Sequence, residues 1–284
     1  MASQLRDTIP SFGKEAGDEL GDVSLSNWSA LTHMSFAKSG LEILVIALVA
    51  VAVIGGAEIA VRALDVKAYV FPKPSEIGTT LVRDFDLFWP HLKITLKELI
   101  VGFAIGASSG LALAALITQF PFVEKIITPY ILLLVTTPMI ALVPLLIIEF
   151  GFGSTPRIIA VALASGPMVM INSATGFRRT DLAKIALARS YGANTIQIFT
   201  KVRFPLALPM IIVGLMVGSI FGMLTAVGAE MVGGQNGLGN QLSVYSSMIR
   251  MSHFYAIILL LALMGVGIYV LFYWVGKKWA SWQA

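Results

Sequence analysis

Along the chain, long apolar runs alternate with short polar breaks, after a first stretch that is polar throughout. Residues 1–40 carry Asp7, Glu15, Asp18, Glu19 and Asp22 against Arg6, Lys14 and Lys38, and show no sustained apolar face. Such a segment buries too little to offset its ordering entropy and reads as an N-terminal tail, partly disordered. Apolar runs of roughly the 18–20 residues needed to cross a bilayer then predict helices at 41–61, 92–118, 126–150, 157–175, 205–231 and 254–275. The first contains Gly55 and Gly56 and carries Glu58 near its far end. In "VFPKPSEIG", Pro72 and Pro74 bar a helix until Ser75, which reads as the N-cap of a short amphipathic helix. The breaks "QFPFVEK" and "GFGSTP" read as turns, and the Gly-rich "GGQNGLGNQ" precedes the amphipathic "LSVYSSMIRMSHF". Six spanning helices place both termini on one side.

The composition agrees with a membrane protein. Apolar residues make up 57% of the 284, above the roughly 45–50% of soluble domains, and the mean hydropathy is +0.83. No charged-start, small-residue-end leader precedes the first run, so no segment is expected to be removed. With Cys 0 there is no thiol nucleophile, disulfide or thiolate metal site. The net charge of +4 is read as basic flanks of membrane spans rather than as a nucleic-acid surface. With the termini inside, 12 of the 20 Lys and Arg fall on the inner side. "GFRRTDLAKIALARSYG" and the terminal "GKKWASWQ" both set basic residues directly beside spans, with Trp279 and Trp282 suited to an interfacial belt. Both termini are therefore expected in the cytoplasm.

Two spans repeat glycine at helical spacing: Gly102, Gly106 and Gly110, and Gly214, Gly218 and Gly222. Stripped of side chains along one stripe, helices approach closely, either as sliding contacts or as ordinary bundle packing. The polar stretch 176–204 has a different pattern. Leu182, Ile185, Ala186 and Arg189 share a helical face, and Gly192 supplies a left-handed helix end. A second short helix over 193–204 gathers Ile196, Ile198, Phe199 and Val202 largely to one side, and Pro205 suits the first turn of the next span. The residues alone fit a helix–Gly–helix knob that docks a partner or a hairpin lying on lipid headgroups.

This stretch resembles the cytoplasmic coupling loop of binding-protein-dependent ABC transporter permeases, whose pattern is Glu-Ala-Ala, three residues, Gly, then about a dozen residues to a Pro. Here Ala186, Leu187 and Ala188 stand at the tripeptide positions, Gly192 matches the glycine, and Pro205 follows thirteen residues later. The acidic first position is Ala186 and the second is Leu187, so the family's glutamate contact is missing while the helix-forming tendency remains. "TPYILLLVTTPMIALVPLLIIEFGFGSTPRI", "TAVGAEMVGGQNGLGNQL" and "FPKPSEI" resemble the nitrate, sulfonate, taurine and bicarbonate branch, over roughly residues 70–275. The resemblance implies an all-α membrane protein with six transmembrane helices, like a type I ABC importer permease, in a permease domain over 41–284 with its coupling loop at 176–204. It implies a permease in the bacterial inner membrane that dimerises, most simply with a second copy. It also implies two ATPase subunits that bind ATP and Mg, and an extracytoplasmic substrate-binding protein; the chain itself holds no cofactor. Contacts with the ATPase fall to Leu182, Ile185, Ala186, Leu187, Ala188, Arg189, Gly192, Phe199 and Pro205.

Thr136, Thr137, Pro138 and Pro144 interrupt the third span, and Pro138 frees a carbonyl near Leu134, so Thr136, Thr137, Pro138 and Met139 are candidate pathway residues. Ser165, Pro167, Met168 and Asn172 of the fourth span form a second group, while methionines such as Met170 and Met223 read as packing. Glu230 closes the fifth span beside the Gly-rich loop, where an ionisable group is costly unless it faces water, protein or a partner, and is a candidate gate. Glu149 reads as hydrated, and Glu58 and the Lys97–Glu98 pair as snorkelling near helix ends. No span has Arg or Lys at its centre, which favours weak passage of a small anion or an uncharged or aromatic solute. His33, His91 and His253 are too scattered to propose a metal site, and "GK" at Gly13 and Gly276 lacks the rest of a phosphate loop, so the chain is not expected to hydrolyse ATP. An ion-coupled secondary transporter is the main alternative, needing mid-membrane carboxylates or paired broken helices, and a membrane scaffold without transport is another.

Overall fold

The computed structural model describes residues 40–279. Residues 1–39 of the tail read over 1–40, His33 among them, and Trp282 lie outside the described residues. The elements, all helical, are α1 (Gly40–Ala63), α2 (Pro74–Arg83), α3 (Phe85–Gln119), α4 (Pro121–Thr136), α5 (Met139–Phe150), α6 (Ser154–Arg178), α7 (Leu182–Ser190), α8 (Thr195–Ile198), α9 (Phe204–Gly233), α10 (Leu238–Ser247) and α11 (Met251–Trp279), with a π-turn at Phe199–Arg203. Contacts divide the chain into a unit up to Ile59 and one from Ala60 onward. In the first, α1 exposes Leu44, Val45, Ile46, Leu48 and Val49.

Five helices are long and apolar enough to span a membrane, α8, the π-turn and α9 counting as one over Thr195–Gly233, and the α4/α5 pair makes a sixth if its two halves are one span. That pair is bent by 97°. Proline drives the preceding residue out of the α region, and Thr137 accordingly takes φ −77, ψ 125. The expected single helix over 126–150 is thus two, and Pro144, expected to interrupt it, sits inside α5. Two further expectations change. Lys73, not Ser75, is the N-cap of α2, with Pro74 in the first turn, where its missing N–H costs nothing. The helix expected to end before Pro205 instead runs through the π-turn into α9, the Phe204 N–H reaching back five residues to the Phe199 carbonyl.

Within the second unit α6 is the central helix, packed between α3 and α9. The two glycine stripes explain this. A Cβ on Gly102 would lie 2.6 Å from Val161 Cβ, and on Gly106 2.6 Å from the Ala162 carbonyl oxygen. From the other side, a Cβ on Gly214 would lie 2.9 Å from Asn172 Cβ, and on Gly218 2.8 Å from Val169. Both stripes face one helix, so α3 and α9 close on α6 at backbone distance.

Candidate functional site

Three places gather the candidate residues. The first is the polar hairpin after α6. Asp181 caps α7 by accepting the Ala183 N–H at 2.8 Å, and α7 ends with Gly192 at φ +78. The Gly192 N–H donates to the Arg189 carbonyl and the Ala193 N–H to Ala188, the six-to-one closure that calls for a left-handed residue. Asn194 and Gln197 then form a reciprocal capping box that starts α8. Ile185 and Ile198 are buried, and Phe199 packs against Phe177 of α6 with ring centroids 5.1 Å apart and the rings tilted by 46°. Outside, Leu182 is 78% exposed, Leu187 58%, Tyr191 83% and Ile196 74%, on a polar hairpin that also exposes Ala186 and Arg189. The face read as common to Leu182 and Ile185 is therefore split, Ile185 inward and Leu182 outward. Arg178, at the end of α6, donates to Glu124 of α4 at 2.6 Å, tying the hairpin's root to the bent pair.

The second place is the bend. A cavity of about 240 Å³ is lined by Thr137, Pro138 and Met139, by Pro167 and Met168 of α6, and by Phe221, Leu224 and Thr225 of α9, among others. It does not take in the rest of the expected pathway set. Thr136 turns its hydroxyl onto the Leu132 and Leu133 carbonyls of its own helix. Ser165 is fully buried where α6 meets Gly106. Asn172 donates to the Met168 carbonyl at 2.8 Å.

The third place surrounds Glu230, which is fully buried. Its Oε1 accepts from the Thr95 hydroxyl at 2.7 Å and its Oε2 from the Gly239 N–H at 2.7 Å. Thr95 in turn accepts the Leu238 N–H at 2.9 Å, and His91 Nδ1 accepts the Gly237 N–H at 3.1 Å. Gly237 sits at φ +109, where a Cβ would run into the Glu230 carboxylate. The Gly-rich loop is thereby folded down onto α3 and α9, and the N–H groups of Gly237, Leu238 and Gly239 are satisfied by side chains. Beside this knot Glu98 is also fully buried. Glu98 Oε1 accepts from the Ser154 hydroxyl at 2.8 Å and lies 3.1 Å from Arg157 Nη1. Arg157 is 5% exposed and donates from Nε to Gly153 and from Nη1 to Asn236, both backbone carbonyls.

Glu98 therefore does not snorkel, and Thr95, His91 and Arg157 are members of the knot that sequence reading passed over. The signal was there: His91, Thr95, Glu98, Gly102, Gly106 and Gly110 fall at spacings of three and four, on the face the glycines define. Lys97, read together with Glu98, is exposed. His253 lies 3.2 Å from Asp84.

The comparisons agree with this architecture. Residues 102–281 match a family model described as "binding-protein-dependent transport system inner membrane component". A probable ABC transporter permease protein of Haemophilus influenzae is 28% identical over 206 residues, covering 72% of this chain and 84% of the relative. A putative aliphatic sulfonates transport permease protein of Bacillus subtilis is 31% identical over 203 residues, covering 70% and 73%. A riboflavin transport system permease protein of Chloroflexus aurantiacus is 26% identical over 219 residues, covering 76% and 82%. Among solved structures, an amino acid ABC transporter aligns with TM-score 0.60 at 21% identity, over 70% of this chain and 97% of that one. The inward-facing methionine ABC transporter MetNI aligns with TM-score 0.56 at 19% identity, over 67% and 93%. At those identities the two structures speak for the fold.

Proposed function

The chain belongs to the family of binding-protein-dependent transport system inner membrane components and is an ABC transporter permease of the importer type, and we propose that ATP hydrolysed by a separate subunit drives it through alternating access. In this reading the chain sits in the bacterial inner membrane with both termini cytoplasmic, pairs with a second permease copy, and receives its solute from an extracytoplasmic binding protein. The solute is a small one of the nitrate, sulfonate, taurine or bicarbonate kind, or a small organic or aromatic compound. The relatives named for aliphatic sulfonates and riboflavin support that range.

The observation that carries the proposal is the construction of the hairpin. Its ends are capped, its inner face is anchored through Phe199 on Phe177, and its outer face exposes Leu182, Leu187, Tyr191 and Ile196. It continues without a break into α9 over Thr195–Gly233. A helix is stiff over such a length, so displacement of the hairpin reaches the far end of α9 as a rigid rotation. The Arg178–Glu124 pair carries the same displacement to α4 and hence to the bend that lines the cavity. Where the family pattern has glutamate, Ala186 offers no charge, and apolar contacts take over the docking.

The test is site-specific crosslinking, which a chain with Cys 0 makes clean. Ala186→Cys and Ser190→Cys are expected to crosslink to the ATPase subunit in membranes, with yields that change when nucleotide is added. Labelling of both positions from the external side alone would reverse the topology and end the proposal.

A further inference from the structure

At the end of α6 opposite the hairpin lies a polar cavity, of about 240 Å³, lined by Lys97, Ser154, Arg157, Gln235 and Asn236 together with Phe152, Gly153 and Ile94. No carboxylate is among its lining residues. The polar groups it offers are mostly donors: an ammonium, a guanidinium, two amides and a hydroxyl. Gly153, the N-cap of α6, supplies no side-chain cap to the Ser154 and Thr155 N–H groups that begin this 25-residue helix, and Pro156 after them has no N–H.

Arg157 carries the argument further. Its side chain is more than nine-tenths buried, and its Nε and Nη1 are held by Gly153, Asn236 and Glu98. Its Nη2, with two N–H groups, has no partner among the described residues. That nitrogen is not sealed from solvent, and Arg157 lines the cavity. With Nε and Nη1 already committed, the buried guanidinium keeps the two N–H groups of Nη2 as charge-assisted donors held in a fixed direction. Glu98, behind Arg157, orients the guanidinium without lining the cavity.

We propose that this cavity binds an oxyanion group of the sulfonate, sulfate or phosphate type, with Arg157 Nη2 and Lys97 as its charged donors and Gln235, Asn236 and the α6 N-terminus completing the set. Its volume falls below the roughly 300–1,000 Å³ of drug-sized pockets, which suits a headgroup of a few atoms. Two sources supply that chemistry: a free anion from solution, or the phosphate of a lipid headgroup at the membrane surface. The site goes beyond the permease reading, because nothing in coupling to an ATPase requires it.

The experiment uses the full-length chain, purified and stripped of lipid, with thermal unfolding followed during titration with sodium methanesulfonate at constant ionic strength in chloride. A ligand bound by the folded state alone raises the unfolding temperature saturably. Wild type is expected to show that rise. Lys97→Gln is expected to weaken the apparent affinity about tenfold, the loss of one charge-assisted bond. Gln235→Glu, which sets a carboxylate in the mouth at an exposed position, is expected to abolish the effect. Both positions avoid the Glu98–Arg157 pair, so folding is preserved. The lipid source is read by native mass spectrometry of gently extracted protein: a retained anionic phospholipid, lost in Lys97→Gln, assigns the site to a headgroup. Methanesulfonate binding without retained lipid assigns it to a free anion. The proposal is overturned if neither is seen, or if both variants respond as wild type does. No ATPase or binding protein enters the assay, so that failure would leave the permease assignment standing.

Discussion

Both carboxylate oxygens of Glu230 are committed, one to the Thr95 hydroxyl and one to the Gly239 N–H, and this decides how the position tolerates change. In Glu230→Gln the amide oxygen can take the Gly239 N–H while the amide NH2 donates to Thr95 Oγ1, whose own hydrogen has the His91 carbonyl at 3.2 Å as an alternative. The Gly239 N–H, the Leu238 N–H and the Thr95 hydroxyl all keep a partner. Glu230→Leu leaves the Gly239 N–H without an acceptor in a buried place, at a cost of about 1–3 kcal/mol, and releases the Gly-rich loop. Glu230→Gln is therefore expected to retain most ATP-dependent uptake in reconstituted vesicles and Glu230→Leu to lose most of it. Uptake driven by a proton gradient without ATP, and abolished by Glu230→Gln, would instead point to an ion-coupled carrier. The cost of a charge in an apolar helix made Glu230 legible in the sequence. Glu98 was misread because its neighbour Lys97 suggested an ion pair near a helix end, whereas the spacing from Gly102 places it on the buried face. Arg157 could not be read at all, since the turn "GFGSTP" gives no sign that its guanidinium folds back against α3.

At the scale of elements, the positions of the spans follow from apolar run length, while their breaks and contacts depend on neighbours. Pro90, Pro129, Pro144, Pro167 and Pro209 all lie inside helices, so proline alone does not mark a break. At Pro138, unlike these five, the preceding residue leaves the helical region, and the Thr136 and Thr137 hydroxyls then serve the carbonyls that end α4. The glycine stripes were visible as stripes; that both face α6 was not, because spacing names a face without naming its partner. That packing makes a signed prediction. Gly106→Ala gains up to about 1 kcal/mol of helix propensity but drives a Cβ to 2.6 Å from the Ala162 carbonyl oxygen, and overpacking of that kind costs about 1–3 kcal/mol. The backbone cannot retreat as a flexible side chain would, so a net loss of stability is expected. Gly267→Ala in α11, with nothing within 4 Å, is expected to be neutral or stabilising. Thermal unfolding of the two variants in one detergent checks the difference, and equal shifts would mean that α3 and α6 are not held at backbone distance.

For the whole molecule, the question is what covers the cavity at the bend. α4 has no buried residue along its 16 positions, and Tyr130, Leu132, Leu133 and Val135 are exposed. One chain therefore lines that cavity from α4–α5, α6 and α9 and leaves another side unfilled. Lipid tails could cover an apolar face, yet they would also fill a solute pathway. A second copy brings the same Thr137, Pro138 and Met139 to the opposite wall, and two-fold closure is the common way for one chain to enclose a path between copies. Met139→Cys, in a chain without other cysteines, is then expected to give a permease–permease adduct with a short bifunctional maleimide in native membranes. Leu263→Cys, exposed on α11, is expected to give much less. Nucleotide that closes the ATPase pair should alter the Met139→Cys yield, since the hairpin and the Arg178–Glu124 pair link that motion to α4. A purified, transport-competent complex holding a single permease copy, or equal adduct yields at the two positions, would show that the pathway is built within one chain and that the bend serves another purpose.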